Sequence, residues 1–535
     1  MAGSAERLLL GVDVGTGSVR AGLFTAGGRQ VGRGEHPIRL WRPRPDHVEQ
    51  SSENIWQSVR AAVAEAMNQA GAAPTDVAGL GFDATCSLVA LDANGRPVTV
   101  SVDGEDGQNV VVWMDHRAVA DAAAINATAH PVLDFVGGAI SPEMQTPKLR
   151  WLKRELPETW RRTALWLDLP DYLTWRATGS DDRSLCTTVC KWTYLGHERR
   201  WDPEYFERIG LADLAADGFR RIGRRVRVPG ECIAPLAADA ARDLGLAPGT
   251  PVAASLIDAH AGALGTLAAP GIDAPLTRRL AVIAGTSACH LAVTAERRAV
   301  PGVWGPYFEA LMPETWLLEA GISASGAFLD HVLQSHPARA QLPASAFAAL
   351  EETLTALEGR GASESTLTRD LHLQPNLLGN RAPLADPSLT GGVAGWRLRD
   401  DVEDLARWYL AGLQALAYAT RHIVEAMAER GVEVDVLIVS GGSAASPRWR
   451  RIHADALGIP VVLPAEADGV LLGSAMLAAT AAGVHGSLAD AMTAMTGAGP
   501  VLTPDPAQRG FHDRKYRVYR QMIDDQRRYD AIMDG

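Results

Sequence analysis

Apolar residues along the chain fall into short blocks that stop at small polar ones. Residues 8–14 form an apolar run ending at Gly15-Thr16-Gly17, and residues 19–24 return ahead of a turn at Gly27-Gly28. Two such runs around a Gly/Thr/Ser tip predict a β-hairpin, with a third strand over 31–38. The period then changes. Ile55, Val59, Val63 and Met67 recur at helical spacing, which predicts an amphipathic helix over 52–70 with Ser51 or Ser52 as N-cap. Strands follow at 77–82, ending in Asp83-Ala84-Thr85-Cys86-Ser87, at 88–91 ahead of an Asn94-Gly95 turn, and at 110–113.

The same order recurs in the second half. Residues 280–284 stop at Gly285-Thr286-Ser287, and 290–293 return as the hairpin partner. A long helix over 402–429 leads to a strand at 434–439, which ends in Ser440-Gly441-Gly442-Ser443. A helix (447–457), a strand (460–463) and a helix (469–482) follow. A period of roughly 270 residues is far above the ~20–50 of repeat arrays, so the pattern predicts two related α/β domains. The Ala- and Pro-rich join at 268–278 divides the chain into 1–267 and 268–500. Residues 501–535 hold an Arg-rich amphipathic helix (511–533) that docks through Tyr516, Tyr519, Ile523 and Tyr529.

Composition narrows the partners. The 535 residues are 47% hydrophobic and 21% charged, enough for a sizeable core in each domain. A net charge of −12 lacks the electrostatic pull that a nucleic-acid backbone requires, so an anionic ligand must be held by local N–H groups or a metal ion. Only four of the 51 basic residues are lysine: Lys148, Lys153, Lys191 and Lys515. None follows a glycine-rich loop, which excludes a P-loop NTPase. The five cysteines (Cys86, Cys186, Cys190, Cys232, Cys289) are scattered and read as reduced thiols. Cys186 and Cys190 share a helical turn, but no second Cys/His pair completes a zinc pattern. The first ten residues lack a long apolar segment, and no window of about 18 residues is apolar throughout. A soluble cytoplasmic protein without a membrane partner is expected.

The polar ends of the apolar blocks carry the chemistry. Asp13-Val14-Gly15-Thr16-Gly17-Ser18 turns a strand through glycines, exposing N–H groups and hydroxyls as a nest for phosphate oxygens beside an acid that can hold a cation. An ordinary hairpin tip reads the same way alone. Paired with Gly285-Thr286-Ser287, it predicts a clamp on nucleotide phosphates between two domains. Gly441 and Gly442 would let a flat ring approach the backbone, or merely make a tight βα loop. Asp258, within Leu256-Ile257-Asp258-Ala259-His260, is costly to bury unless paired or working, and an N-cap role would account for it equally. His260 would face differently on a helix and reads as structural. Asp115 in Trp113-Met114-Asp115-His116-Arg117 can cap the next helix or bond a polyol.

Taken in order, these segments resemble the FGGY family of carbohydrate kinases over nearly the whole chain. The matching motifs are DVGTGSVRAGLF (13–24), VVVWMDHRA (110–118), IDAHAG (257–262), AGTSACH (284–290), GNRAPLADPSLTG (379–391) and VSGGSAASPRWRRIHADALGIPV (439–461). The resemblance implies two actin-like/ribonuclease-H-like α/β ATPase domains with an interdomain active-site cleft. Residues 1–267 would bind sugar and 268–500 nucleotide, and the γ-phosphoryl of ATP would pass, with Mg2+, to a sugar or polyol hydroxyl.

Within the family, GFDATCSLV (81–89), CTTVCKWTYL (186–195), PGVWGPY (301–307) and DFVGGAISPEMQTPKLRWLK (134–153) resemble the pentulose-kinase branch, and its D-ribulokinase-like group in particular. By that resemblance Asp258 is the catalytic base, and Thr85, Cys86, Asp115, Lys191, Asp258 and Glu319 contact the sugar. Gly15, Thr16, Ser18, Arg20, Gly285, Thr286, Ser287, Gly441, Gly442 and Ser443 hold the nucleotide, and Asp13 orients magnesium. Lys191 has a plain alternative as a solvated surface lysine, although a compact ammonium suits sugar hydroxyls. One position departs: relatives commonly read GGQSA where this chain has Ala320-Gly321-Ile322-Ser323-Ala324.

The expected reaction is phosphorylation of a ketopentose, D-ribulose first. L-ribulose, a pentitol such as ribitol, or actin-like ATP hydrolysis without sugar transfer stand as alternatives. The expected partners are the sugar and ATP, and a homodimer is common among relatives.

Overall fold

The computed structural model describes residues 7–466 and 468–534. The extreme N-terminus, 1–6, lies outside the described residues. β1 (Leu8–Val14) is buried along its whole length and pairs antiparallel with β2 (Ser18–Thr25), which pairs in turn with β3 (Gln30–Pro37). α1 (Ser52–Ala70) starts where Ser51 accepts Asn54 N–H and stops at Gly71, whose φ of 62° suits glycine. It returns the chain to β4 (Val77–Ala84), parallel to β1. Strands covered on both faces read as continuous apolar runs, which is why β1 and β4 show no alternation.

Segments within 41–50, before α1, pair with 88–91, 110–111 and 165–168 beyond β4 in a small sheet, and a group of helices that includes α2 (Leu185–Lys191) follows. β5 (Cys232–Pro235), β6 (Pro251–Ala253) and β7 (Leu256–Ile257) complete the first large sheet, in the order β5-β6-β4-β1-β2-β3, with β7 also on β4. α3 (Asp258–Leu267) leads out of it.

The second large sheet repeats the plan. β8 (Arg279–Ala284) and β9 (Ala288–Thr294) form an antiparallel hairpin, followed by β10 (Trp304–Phe308) and β11 (Trp316–Ile322). After α4 (Gly326–Ser335) and the long α5 (Val402–Ala428), β12 (Val436–Ser440) enters parallel to β8, as β4 does to β1. α6 (Pro447–Leu457), β13 (Val461–Val462), α7 (Gly469–Ala481) and β14 (Val501–Leu502) follow, giving the order β10-β11-β9-β8-β12-β13-β14. β10 was not among the predicted strands, because Gly305 and Pro306 interrupt its pattern.

The final helix, α8 (Pro506–Asp534), docks on the second half through Phe511, Tyr516, Tyr519 and Ile523, all buried. Its Lys515 is buried too and donates to Thr368 O at 2.7 Å. Tyr529, expected on the same face, is 64% exposed, because the helix runs past the surface on which it packs. Among the described residues, no helix is long and apolar enough to cross a membrane.

α7 comes late in the sequence but packs on the first sheet. A Cβ at Gly81 would lie 2.0 Å from Ser474 O, and Ser474 Oγ donates to Asp83 at 2.6 Å. α3 crosses α7 just as closely: a Cβ at Gly473 would stand 1.9 Å from Ala261 O. Gly473→Ala must therefore push the two helices apart, and overpacking of this kind costs about 1–3 kcal/mol. Calorimetric melting should show a lowered midpoint for Gly473→Ala and none for Gly359→Ala, whose Cβ meets open space. Equal midpoints would refute the crossing.

Candidate active site

At the end of β1, Asp13 stands opposite Arg20 of β2 and Asp83 of β4, because both strand registers pair at that residue. Arg20 forms an ion pair with Asp13. Both acids are fully buried, and Asp13 Oδ1 and Asp83 Oδ1 have no hydrogen-bond partner among the described residues. Burial raises the Asp13 carboxyl, Arg20 opposes that, and the Asp258 charge adds to it. Burial and the Asp13 charge together hold Asp83 well above the usual carboxylate range. Two buried carboxylates with unengaged oxygens suit a hard divalent cation such as Mg2+.

Beside these acids opens a cavity of about 250 Å³. Thr16 lines it, braced by Trp113 Nε1 on its hydroxyl (3.0 Å) and Gln50 Nε2 on its carbonyl (2.8 Å). Arg20, Thr85, Cys86, Lys191 and Asp258 also face it from the first domain. The N-cap of α3 is Ile257, so Asp258 is the first helical residue and does not cap. Its Oδ1 accepts the neighbouring Ala259 N–H at 2.7 Å, and burial raises its carboxyl against that bond.

Lys191 ends α2 and is 2% exposed, which removes the solvated-surface alternative. Its Nζ lies 3.6 Å from Glu319 Oε2, and Arg381 Nη2 donates to Glu319 Oε1 at 2.9 Å. Both cations sit over the Trp304 ring, at 4.6 and 4.1 Å from its centroid. Burial would raise Glu319, but Lys191, His260 and Arg381 hold its carboxyl well below the usual range. His260 is thus more than a packing residue: its Nε2 faces Glu319 Oε2 at 3.4 Å.

The tip of the second hairpin, Gly285-Thr286-Ser287, carries no acid. It is braced by α4, where Ser325 N donates to Thr286 O (2.9 Å) and Gly326 N to Gly285 O (3.0 Å). Gly285 and Thr286 border the first cavity and also a second of about 400 Å³, walled by Leu329, Tyr409, Gly442, Ser443 and Trp449. One hairpin tip therefore lies between a cavity ringed by charged side chains and one walled mainly by apolar and aromatic side chains. Ser287 lines the first.

Some expected residues stand elsewhere. Asp115 is fully buried with its oxygens taken by Arg117 (2.8 and 2.7 Å) and Val48 N–H (2.6 Å), so it has no acceptor to offer a sugar. Ser18 donates to Glu35 at 3.1 Å, outside both cavities. Gly15 and Gly441 shape turns rather than line walls. Gly441 has φ 91°, and a Cβ there would strike Ala284 O at 2.6 Å. Ile322 lies an odd number of residues from Glu319 on β11, hence on the other face, in the second core. Trp113, Glu143 and Arg381, which no local pattern marks, also line the first cavity. Their sequence signal is their position inside the family-like segments 110–118, 134–153 and 379–391.

Residues 8–265 match the N-terminal domain, and 280–482 the C-terminal domain, of the FGGY family of carbohydrate kinases. The chain belongs to this family. It is a sugar kinase with the family's two-domain, actin-like α/β fold. The FGGY carbohydrate kinase domain-containing protein of Homo sapiens is 44% identical over 544 residues, 99% of this chain and 98% of that one. A D-ribulokinase of Saccharomyces cerevisiae is 36% identical over 513 residues, 89% of this chain and 72% of its own length. The crystal structure of xylulose kinase from Rhodospirillum rubrum superposes with a TM-score of 0.81 at 23% identity, covering 98% of this chain and 99% of that one.

The buried acid pair of this kinase has a measurable cost. Unfolded aspartates ionise near about 3.9, whereas folded Asp13 keeps its proton to higher pH. The folded state therefore binds more protons in that window, and without metal its stability falls as pH rises through it. Asp13→Asn should flatten that fall in thermal melts, and added magnesium should stabilise only the wild type. Parallel pH curves for the two proteins would contradict the pairing.

Proposed function

We propose that this kinase transfers the γ-phosphoryl of ATP to a ketopentose, with the 5-hydroxyl of D-ribulose as the preferred acceptor. The observation that carries the reading is the shared hairpin tip. Gly285 and Thr286 border both the cavity that holds Asp258 and the apolar pocket beside Gly442 and Ser443. A nucleotide seated in the apolar pocket presents its phosphates at that tip, facing the acid. The D-ribulokinase relative at 36% identity, together with Lys191, Asp258 and Glu319 on one cavity wall, favours a pentulose.

In this mechanism Lys191, Glu319, Thr85 and Cys86 hold the ketose and Asp258 takes the proton of the attacking hydroxyl. Its raised carboxyl is a better proton acceptor than an ordinary aspartate. Thr16 and Thr286 bind phosphate oxygens from opposite sides, and Arg20 answers their negative charge. Asp13 with Asp83 would hold magnesium, which when bound supplies further charge neutralisation. Five free cysteines support a cytoplasmic location.

Asp258→Asn should lower kcat by ~10²–10⁴ while calorimetry still registers sugar binding. Near-full turnover in that variant would sink the assignment. Lys191→Arg should raise KM for sugar and leave KM for ATP nearly unchanged, since a planar guanidinium cannot reproduce the ammonium's contacts; a loss confined to ATP would contradict it. Coupled ADP release over pentuloses, pentitols and glycerol decides the acceptor. Sugar-independent hydrolysis would point instead to a plain actin-like ATPase, and preference for L-ribulose or ribitol would reassign the substrate.

A further inference from the structure

Behind the sugar-side cavity, three buried residues meet that the mechanism above does not use. Cys186 and Cys190 of α2 and His260 of α3 are all fully buried, with their sulfur and nitrogen atoms within 4.8 Å of one another. Such a group could be a metal site, but its spacing is that of a hydrogen bond. Cys186 Sγ lies 2.9 Å from His260 Nδ1. A sulfur and a nitrogen sharing a tetrahedral zinc, at ~2.3 and ~2.0 Å, would stand roughly 3.5 Å apart. The other ring nitrogen is turned to Glu319. The imidazole is therefore clamped at both nitrogens, between a cysteine and the glutamate of the sugar wall.

We infer that Cys186 and His260 form a thiolate–imidazolium pair that positions Glu319, and through it Lys191, for the acceptor. An imidazolium donates from both nitrogens, one to the thiolate and one to the carboxylate. Glu319 Oε2 is then shared between His260 and Lys191, which leaves the ammonium able to bind sugar hydroxyls. A neutral ring can still donate Nε2–H to Glu319, but it brings no positive charge, so the carboxylate would draw Lys191 closer. Burial opposes the thiolate, yet the Cys190 thiol and the His260 charge pull Cys186 well below the ordinary thiol range. Burial likewise opposes the imidazolium, while the Cys186 and Glu319 charges bring His260 up to about 9.

The neighbours allow the pair to be read by pH. Asp171 faces Cys186 with its carboxyl pushed up to about 6 by burial against Arg183, so the acid side is crowded. Asp258 begins the helix of His260, and its raised carboxyl belongs to that side as well. Around Glu319, Lys191 and Tyr307 are shifted far up, as is Cys190 beside Cys186. Burial puts Cys86 at about 12 and Cys289 at about 11, and Arg381 stays charged throughout. Asp168, raised to about 8 by burial, and Lys148, lowered by burial, also lie near Lys191 and Cys86, so the alkaline limb is identified as that of His260 by its response to the Cys186 variants.

The inference rests on the reading that Lys191 and Glu319 hold the acceptor, and two measurements on the full-length enzyme separate the two. Ultraviolet thiolate absorbance at neutral pH should be present in the wild type and absent in Cys186→Ser. The alkaline limb of kcat/KM for sugar should move in Cys186→Ser from about 9 toward the ordinary histidine value of about 6.5. At pH 8 KM for sugar then rises about tenfold, the size of one lost charge-assisted hydrogen bond, with KM for ATP unchanged. Cys186→Asp, which returns the negative charge, should recover the limb. If Cys186→Ser does not fold, His260→Gln keeps a hydrogen-bonding side chain without the charge and should lose both the absorbance and the limb. No thiolate absorbance in the wild type, or a defect independent of pH, would overturn the pair. A wild-type enzyme that phosphorylates no sugar would instead sink the acceptor reading, with the absorbance still deciding whether the pair exists.

Discussion

The approach of α3 to α7 is the constraint on which the site depends. Glycines at 265, 469 and 473 remove side chains from the crossing, so the two helices meet backbone against backbone. Glycine in a helix costs about 0.8–1.0 kcal/mol relative to alanine, and the close packing has to offset that. In return, a helix from late in the chain becomes part of the first sheet's cover, and Ser474 reaches Asp83. α3 begins at Asp258, so the same crossing sets the proposed base beside the acids at the ends of β1 and β4.

The charges around the cavity divide into two groups with opposite needs. Glu319 is surrounded by Lys191, Arg381 and His260, so its negative charge is amply answered. Asp13 and Asp83 share little beyond Arg20, and their carboxyls are raised where that of Glu319 is depressed. In a low-dielectric interior, such a difference marks where further positive charge is favourable and where none is wanted. A divalent cation would be favoured at Asp13 and Asp83, whereas the answered charge of Glu319 would suit neutral hydroxyls.

Local signals in the sequence carried the framework well. The hairpins, α1, α5 and the strands leading to Asp83 and Ser440 follow from runs, caps and glycines within a few residues. The site was legible where one segment contains all its chemistry, as at Thr16 or Thr286. It was not legible where a residue's meaning comes from a distant partner. Asp115 looks available until Arg117 and the Val48 N–H are seen to consume it. Glu143 and Arg381 arrive on loops whose direction no periodicity encodes. His260 meets Cys186, 74 positions earlier, and no local pattern announces that contact.

The four lysines end up distributed in an unexpected way. Lys148 donates to Val112 O and Trp113 O beneath the cavity, Lys191 stands in its wall, and Lys515 is sealed under α8; all three are at most 4% exposed. Only Lys153, paired with Asp213, reaches the surface. Arginine has taken over the solvated cationic positions and left the ammonium groups inside. Acylation of Lys148, Lys191 and Lys515 thus works as a probe of opening, with Lys153 as the surface reference. Each of the three hidden lysines reports a different place: the floor beneath Trp113, the cavity wall beside Glu319, and the seat of the last helix.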